Sequence, residues 1–208
     1  MATPTHPEAP AARIYLASAS PRRRELLAQI GLPHAVLQVP APPGEDEPRH
    51  PGEAAADYVR RTAREKAERG RHWLAGQSLP ALPLLAADTT VILDGNVLGK
   101  PADRADAVQM LSRLSGASHQ VHTAVALWHE GRLHEDVSIS EVRFRVLGPD
   151  EILRYCDSGE PYGKAGAYGI QGLAGVFVSH LAGSYTGVMG LPVYETAQLL
   201  RRVGVLVP

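Results

Sequence analysis

The sequence predicts a mixed α/β fold, with strands and helices alternating around an aliphatic core. Three observations carry this. The run Leu84-Leu-Ala-Ala-Asp-Thr-Thr-Val-Ile-Leu93 is short, apolar and closed by turn residues, the pattern of a strand covered on both faces. Segments of strand and helix period succeed one another from Ile14 to Leu200, with no repeat and no linker between them. The 208 residues are 44% hydrophobic and 5% aromatic, enough for one sizeable core, as a single large domain or as two lobes sharing a cleft.

Composition excludes several classes. A net charge of -1 lacks the electrostatic footprint of a nucleic-acid or membrane-surface binder. The one cysteine, Cys156, rules out an intrachain disulfide and a thiolate zinc cage, which points to a reducing compartment. No apolar run reaches the roughly 18 residues of a membrane span. Residues 1–12, rich in Ala, Pro and Thr, have no basic segment followed by an apolar one and read as a disordered tail, leaving residues 13–208 as the domain.

Arg13 to Ser18 is a short strand. Ser20-Pro21 opens a helix, with Ser as N-cap and Pro at the first helical position; Leu26, Leu27 and Ile30 form its buried stripe, and Gly31 and Pro33 end it. Its first turn holds Arg22-Arg23-Arg24, cations at the positive end of a helix dipole that an anion would make favourable. This describes either a phosphate pocket or a solvated basic patch. Val39 to Pro51, crowded with Pro and acidic residues, reads as a long mobile loop of the kind used as a lid. The helix from Glu53 to Arg71 turns Val59, Thr62 and Ala63 inward, and Lys66 falls on the same stripe, where its ammonium either snorkels to the rim or reaches an anion in a cleft.

In the central strand, Asp88 is costly to bury unless paired, hydrogen-bonded or metal-bound. Asp94-Gly95-Asn96 folds Val97-Leu98 back and brings Lys100 near Asp88, as a structural ion pair or as part of a site. Asp103 caps a helix with Val108, Leu111 and Leu114 inward. The strands His119 to Trp128 and His134 to Leu147 form a hairpin through Glu130-Gly131. A change of phase between Ile139 and Val142 predicts a bulge near Glu141. His119, His122, His129 and His134 match no metal-site spacing and read as surface or strand histidines. Pro149 opens a helix closed by Gly159. Glycine then recurs at every third position from Gly163 to Gly175, where backbone can pass close to a ligand and Lys164 and Gln171 supply directed polar groups. Val176 to Val178 is a strand, Gly183-Ser184-Tyr185 a turn, and Pro192 starts the last helix.

Familiar motifs fail informatively. Gly95 to Lys100 and Gly159 to Lys164 each have three residues between their glycines where a phosphate-binding P-loop needs four. There is no Gly-x-Ser-x-Gly elbow and no His-Glu-x-x-His pair, so a P-loop kinase, a serine hydrolase and a zincin are disfavoured.

Five ordered blocks resemble the signature of the Maf family. They are Leu16-Ala-Ser-Ala-Ser-Pro-Arg-Arg-Arg-Glu-Leu-Leu27, Arg64-Glu-Lys-Ala67, Ala87-Asp-Thr-Thr-Val-Ile-Leu-Asp-Gly95 with Gly99-Lys-Pro101, Leu114-Ser-Gly116, and Lys164-Ala-Gly-Ala-Tyr-Gly-Ile-Gln-Gly172. The resemblance implies a mixed, strongly twisted sheet in two lobes around a central cleft, similar to inosine triphosphatases. It also implies a cytoplasmic homodimer that cleaves the α–β phosphate link of nucleoside triphosphates with a divalent cation, Mg²⁺, Mn²⁺ or Co²⁺. By motif, Asp88 matches the proton acceptor. Ser18, Arg22, Lys66 and Lys100 match phosphate-handling positions, and Asp88 with Glu47 or Glu45 matches the metal ligands. Arg23, Thr89 and Gln171 match the positions that mark the subgroup acting on dTTP and UTP, relatives acting on 7-methylguanosine triphosphate having Glu in place of Gln171. An amide offers both donor and acceptor to the N3–H and O4 of uracil or thymine. Gly163 departs from the Asp that many members carry there. The alternatives are a preference for 7-methylguanosine triphosphate or CTP, and a nucleotide-binding regulator linked to cell division.

Overall fold

The computed structural model describes residues 11–40 and 47–207; the predicted tail up to residue 10, and residues 41–46 of the predicted lid, lie outside them. The first strand, β1 (Ile14–Leu16), lies parallel to both β2 (His34–Val36) and β3 (Leu84–Leu93). From β3 outward the pairing is antiparallel, through β5 (Ser118–His129) and β6 (Arg132–Phe144) to β7 (Val178–Ala182), while β4 (Asn96–Leu98) folds back on β3 as the Asp94-Gly95 turn predicts. The sheet is therefore mixed.

Strand β3 is covered on both sides, as its unbroken apolar run requires. Helix α1 (Pro21–Gln29) follows β1, and α2 (Ala55–Ala75) lays Val59, Ala63 and Ala67 on Ala86, Ala124 and Ala126 of β3 and β5. Alanines on both surfaces bring that helix close to the sheet. On the other face Leu85 and Ala87 pack with Ile14, Leu16, Leu26, Leu27, Leu199 and Leu200. Beyond Asp88 the strand enters a second apolar cluster, where Val91 and Leu93 meet Leu111 and Leu114 of α3 (Arg104–Leu114), Ile152 and Tyr155 of α4 (Pro149–Asp157), and Phe144. Asp103 caps α3 as predicted, accepting from the Asp106 N–H at 2.9 Å. Helices α5 (Tyr185–Met189) and α6 (Val193–Arg202) complete the chain.

Three local expectations need correction. Strand β6 pairs with β5 without interruption through Glu141, and its irregularity lies at Arg143/Phe144, against β7. The apparent change of phase comes from Ser138 and Ser140, which are buried while Ile139 is exposed. Ser140 Oγ accepts from the Ser184 N–H at 2.9 Å, so hydroxyls occupy two inward positions where periodicity expects apolar residues. Strand β7 starts at Val178, since 173–177 form a short 3₁₀ helix. Ser184 is the N-cap of α5, accepting from the Gly187 N–H at 3.0 Å, whereas Ser20 at the start of α1 makes no side-chain cap.

The four histidines lie on strands, in keeping with the sequence reading. His119 and His122 are buried in β5, 3% and 5% exposed. His119 Nε2 lies 2.8 Å from the Tyr168 hydroxyl, and its ring packs edge-on against Phe144 and Tyr168. Burial pulls its pKa down from 6.5 to about 4, and burial lowers that of His122 as well. A base whose folded pKa is depressed contributes stability that is complete above its unfolded value and is lost as pH falls through the folded one. The cost at acid pH reaches about 3 kcal/mol for His119. Urea unfolding between pH 7 and pH 4 should show the midpoint falling steadily. The fall should be shallower in His119→Gln, and an equal slope in both proteins would place the acid sensitivity elsewhere.

Candidate active site

Six separate segments deliver side chains to one cavity of about 950 Å³. Ser18, Arg22 and Arg23 enter from the β1–α1 turn and Glu47 from the loop before α2. Lys66 comes from α2, Asp88 and Thr89 from β3, Lys100 from just after β4, and Lys164 and Gln171 from the glycine-rich segment. Glu45, the alternative to Glu47, lies outside the described residues.

Asp88 is only 4% exposed. Its Oδ1 accepts from Lys66 Nζ at 2.7 Å, and its Oδ2 from the Thr62 hydroxyl at 2.7 Å. Burial by itself would push the carboxyl up; the Lys66 ammonium, Arg23 and the Thr62 hydroxyl outweigh it and hold Asp88 below the usual carboxylate range. Lys66 also pairs with Glu47, so one ammonium stands between two carboxylates. The hairpin brings Lys100 into the cavity that Asp88 lines, as the sequence predicts, but not as its ion-pair partner. Instead Lys100 Nζ lies 3.7 Å from Glu47, and Lys66 makes the ion pair with Asp88. The reason is helical periodicity: Thr62 and Lys66, four residues apart, share the face of α2 that covers β3.

Thr89 points to the opposite face of the strand from Asp88, as alternation demands. There its hydroxyl meets Arg23 Nη2 at 3.4 Å and the cross-strand Thr123 hydroxyl at 3.0 Å. Arg23 is further fixed by Nε donating to the Gly190 carbonyl at 2.7 Å and Nη1 to Ser18 Oγ at 3.1 Å. Burial lowers its pKa, opposed by Asp88 and Glu47. Arg22 donates to the Met189 carbonyl at 3.2 Å, and Arg24 is exposed. Two of the three arginines are thus aimed inward by carbonyls from the end of α5.

The glycine-rich segment closes the other wall. Lys164 Nζ donates to the Glu160 carbonyl, and burial, with repulsion from Arg22, lowers its pKa. Gln171 lines the cavity with its side chain exposed. Gly163 sits at φ 74°, a left-handed position that Asp also tolerates, which explains why Gly can stand in that place.

Sequence reasoning assigned Thr62 to the core stripe and missed its bond to Asp88. The only signal was that it lies one turn before Lys66. Among the described residues no group of three or more His, Cys, Asp and Glu could hold a metal. Asp88 and Glu47 do bring two hard oxygen donors around one cation, Lys66. That set fits a Mg²⁺-like ion that completes its shell with phosphate oxygens and water, and does not fit an all-protein cage.

Among the described residues cations therefore outnumber acids around a buried carboxylate, a geometry suited to a polyphosphate and an attacking water. The family model for Maf-like protein matches residues 13–203. The chain is 78% identical over 196 residues to a Bordetella pertussis protein named dTTP/UTP pyrophosphatase, covering 94% of this chain and 95% of that one. It is 55% identical to a Chromobacterium violaceum protein of the same name, covering 94% and 97%. Among solved structures it aligns with the Staphylococcus aureus Ham1 protein at TM-score 0.40 and 13% identity, over 63% of this chain and 71% of that one. A family match spanning the whole sheet and its cavity, with near-full-length relatives at these identities, means that the chain belongs to the Maf-like protein family.

Proposed function

We propose that the chain is a nucleoside triphosphate pyrophosphatase that hydrolyses dTTP and UTP to the monophosphate and pyrophosphate, removing unwanted nucleotides from the pool. The observation that carries this is the buried Asp88 held 2.7 Å from Lys66 in a cavity that also takes Arg22, Arg23, Lys100 and Lys164. Relatives up to 78% identical carry the name dTTP/UTP pyrophosphatase.

In this reading Asp88 orients the attacking water and accepts its proton at the carboxylate oxygen that faces Lys66. Because its pKa is held low, Asp88 is ionised at neutral pH but a weak base. A divalent cation, Mg²⁺, Mn²⁺ or Co²⁺, held by Asp88 and Glu47, supplies water activation and charge neutralisation when bound. Arg22, Lys66, Lys100 and Ser18 bind the phosphates and offset the charge that develops on departing pyrophosphate. Gln171, Thr89 and Arg23 select the pyrimidine.

The two apolar clusters that meet on β3 support an arrangement of two lobes with the cleft between them. The site as read belongs to a cytoplasmic homodimer with a nucleotide as its partner and neither nucleic acid nor membrane. No helix among the described residues is long and apolar enough to cross a membrane.

The test is phosphate release with and without added inorganic pyrophosphatase, over dTTP, UTP, CTP and 7-methylguanosine triphosphate. Orthophosphate should appear from dTTP and UTP only with the coupling enzyme, and EDTA should stop formation of the monophosphate, read directly by chromatography. Direct release of orthophosphate would mean cleavage at the γ-phosphate. Tight nucleotide binding with no turnover would make the protein a nucleotide-responsive regulator.

A further inference from the structure

Gln171 stands on a segment of turns and short 3₁₀ pieces between Lys164 and Phe177, with no long element to aim its side chain. The segment is gathered instead on one residue, Glu160. The Glu160 carboxylate accepts from the Leu173 N–H at 2.9 Å, the Ala174 N–H at 3.3 Å and the Tyr155 hydroxyl at 2.9 Å. Its backbone carbonyl accepts from Lys164 Nζ. Both ends of the stretch that carries Gln171 are therefore tied to Glu160. Tyr155 anchors the arrangement in the core of α4; burial and the neighbouring carboxylate push its hydroxyl up, so it stays a donor.

Gly172, the residue after Gln171, records how closely this carboxylate approaches. A Cβ there would lie 2.3 to 2.5 Å from the carboxylate atoms of Glu160, so a side chain at 172 requires the carboxylate to move from the place where it meets its three donors. The turn bonds from the Gly172 N–H to the Gly169 carbonyl and from the Gly175 N–H to the Gly172 carbonyl, each 3.0 Å, finish the loop.

We infer that Glu160 is a positioning residue for nucleobase selection, its carboxylate holding the backbone just after Gln171 so that the amide faces the base. The inference rests on the assignment of Gln171 to base recognition and adds the device that fixes it. A strained or untied loop would let the amide rotate among orientations, which weakens binding of the matched base more than the chemical step.

The test measures kcat and KM for UTP and GTP in wild type, Glu160→Ala, Glu160→Gln, Gly172→Ala, the double variant Glu160→Ala with Gly172→Ala, and Gln171→Ala. Loss of this tie should raise KM for UTP about tenfold, lower kcat by less, and cut the UTP-to-GTP ratio of kcat/KM about tenfold. Glu160→Gln, which keeps an acceptor oxygen, should recover most of the ratio. Gly172→Ala should damage selection in the presence of Glu160 and add nothing in Glu160→Ala, where there is no carboxylate to displace. Should Glu160→Ala not fold, Gly172→Ala and Glu160→Gln carry the same comparison. A ratio unchanged in Glu160→Ala or Gly172→Ala while Gln171→Ala collapses it overturns the positioning role and leaves Gln171 as the base reader. A ratio unmoved by Gln171→Ala overturns both.

Discussion

Replacing Asp88 by Asn lowers pyrophosphate release from dTTP and UTP by on the order of 10³-fold, the range in which a positioned proton acceptor acts, and leaves the fold standing. Asparagine keeps the volume of the side chain, and its amide oxygen still accepts from the Thr62 hydroxyl, now 2.7 Å from Oδ2. Lys66 keeps Glu47 as a partner. What disappears is the negative charge opposite Lys66 and Arg23 and, in the proposed reaction, the atom that would take the proton of water. Asp88→Glu restores the charge but moves it by about 1 Å in a site already tied on both oxygens, and a displacement of that size costs on the order of 10²-fold. Steady-state assays with far-ultraviolet circular dichroism and a thermal melt separate lost chemistry from lost structure. An Asn variant with more than a tenth of wild-type turnover would remove Asp88 from the proton transfer.

Much of this architecture is legible in the sequence because it rests on local rules. The buried strand, the Asp94-Gly95 reversal, the cap at Asp103 and the hairpin at Glu130-Gly131 all follow from apolar runs and turn chemistry within a dozen residues. Asp88 is conspicuous for the same reason, being a charge inside an apolar run. The illegible parts depend on contacts between distant segments. Ser138 and Ser140 look like outward residues until Ser184 comes to bond one of them, and Thr62 looks like core until Asp88 is placed beside it. Which of the two lysines in the cavity pairs with Asp88 depends on how α2 lies across β3, which nearness in sequence does not reveal. The Met189 and Gly190 carbonyls that aim Arg22 and Arg23 lie 167 residues away and belong to backbone, which carries no residue-type signal.

Lys66→Met separates the two duties of that side chain and has the larger effect on stability. Methionine fills the same space and removes the ammonium that faces Asp88 at 2.7 Å, with the pair's side chains only 15% and 5% exposed. Removing one partner of a buried pair costs about 3–5 kcal/mol, because the remaining charge is neither hydrated nor neutralised. In the native protein the Asp88 carboxyl is held low. Its contribution is therefore present above the unfolded carboxyl value and lost as pH falls through the folded one. Without Lys66, burial becomes the dominant influence and raises the carboxyl, so the sign reverses. The variant is then penalised as pH rises above the unfolded value and approaches wild-type stability in acid. Adding Asp88→Asn removes the stranded charge, so the double variant should recover most of the lost stability while regaining no activity, and turnover in either Lys66 variant should fall by on the order of 10²-fold or more. Urea unfolding at pH 5 and pH 8 measures the first effect and pyrophosphate release the second. A Lys66→Met protein that loses less than about 1 kcal/mol at pH 8 would behave like a surface pair, and the buried ion pair at the centre of the site would have to be abandoned.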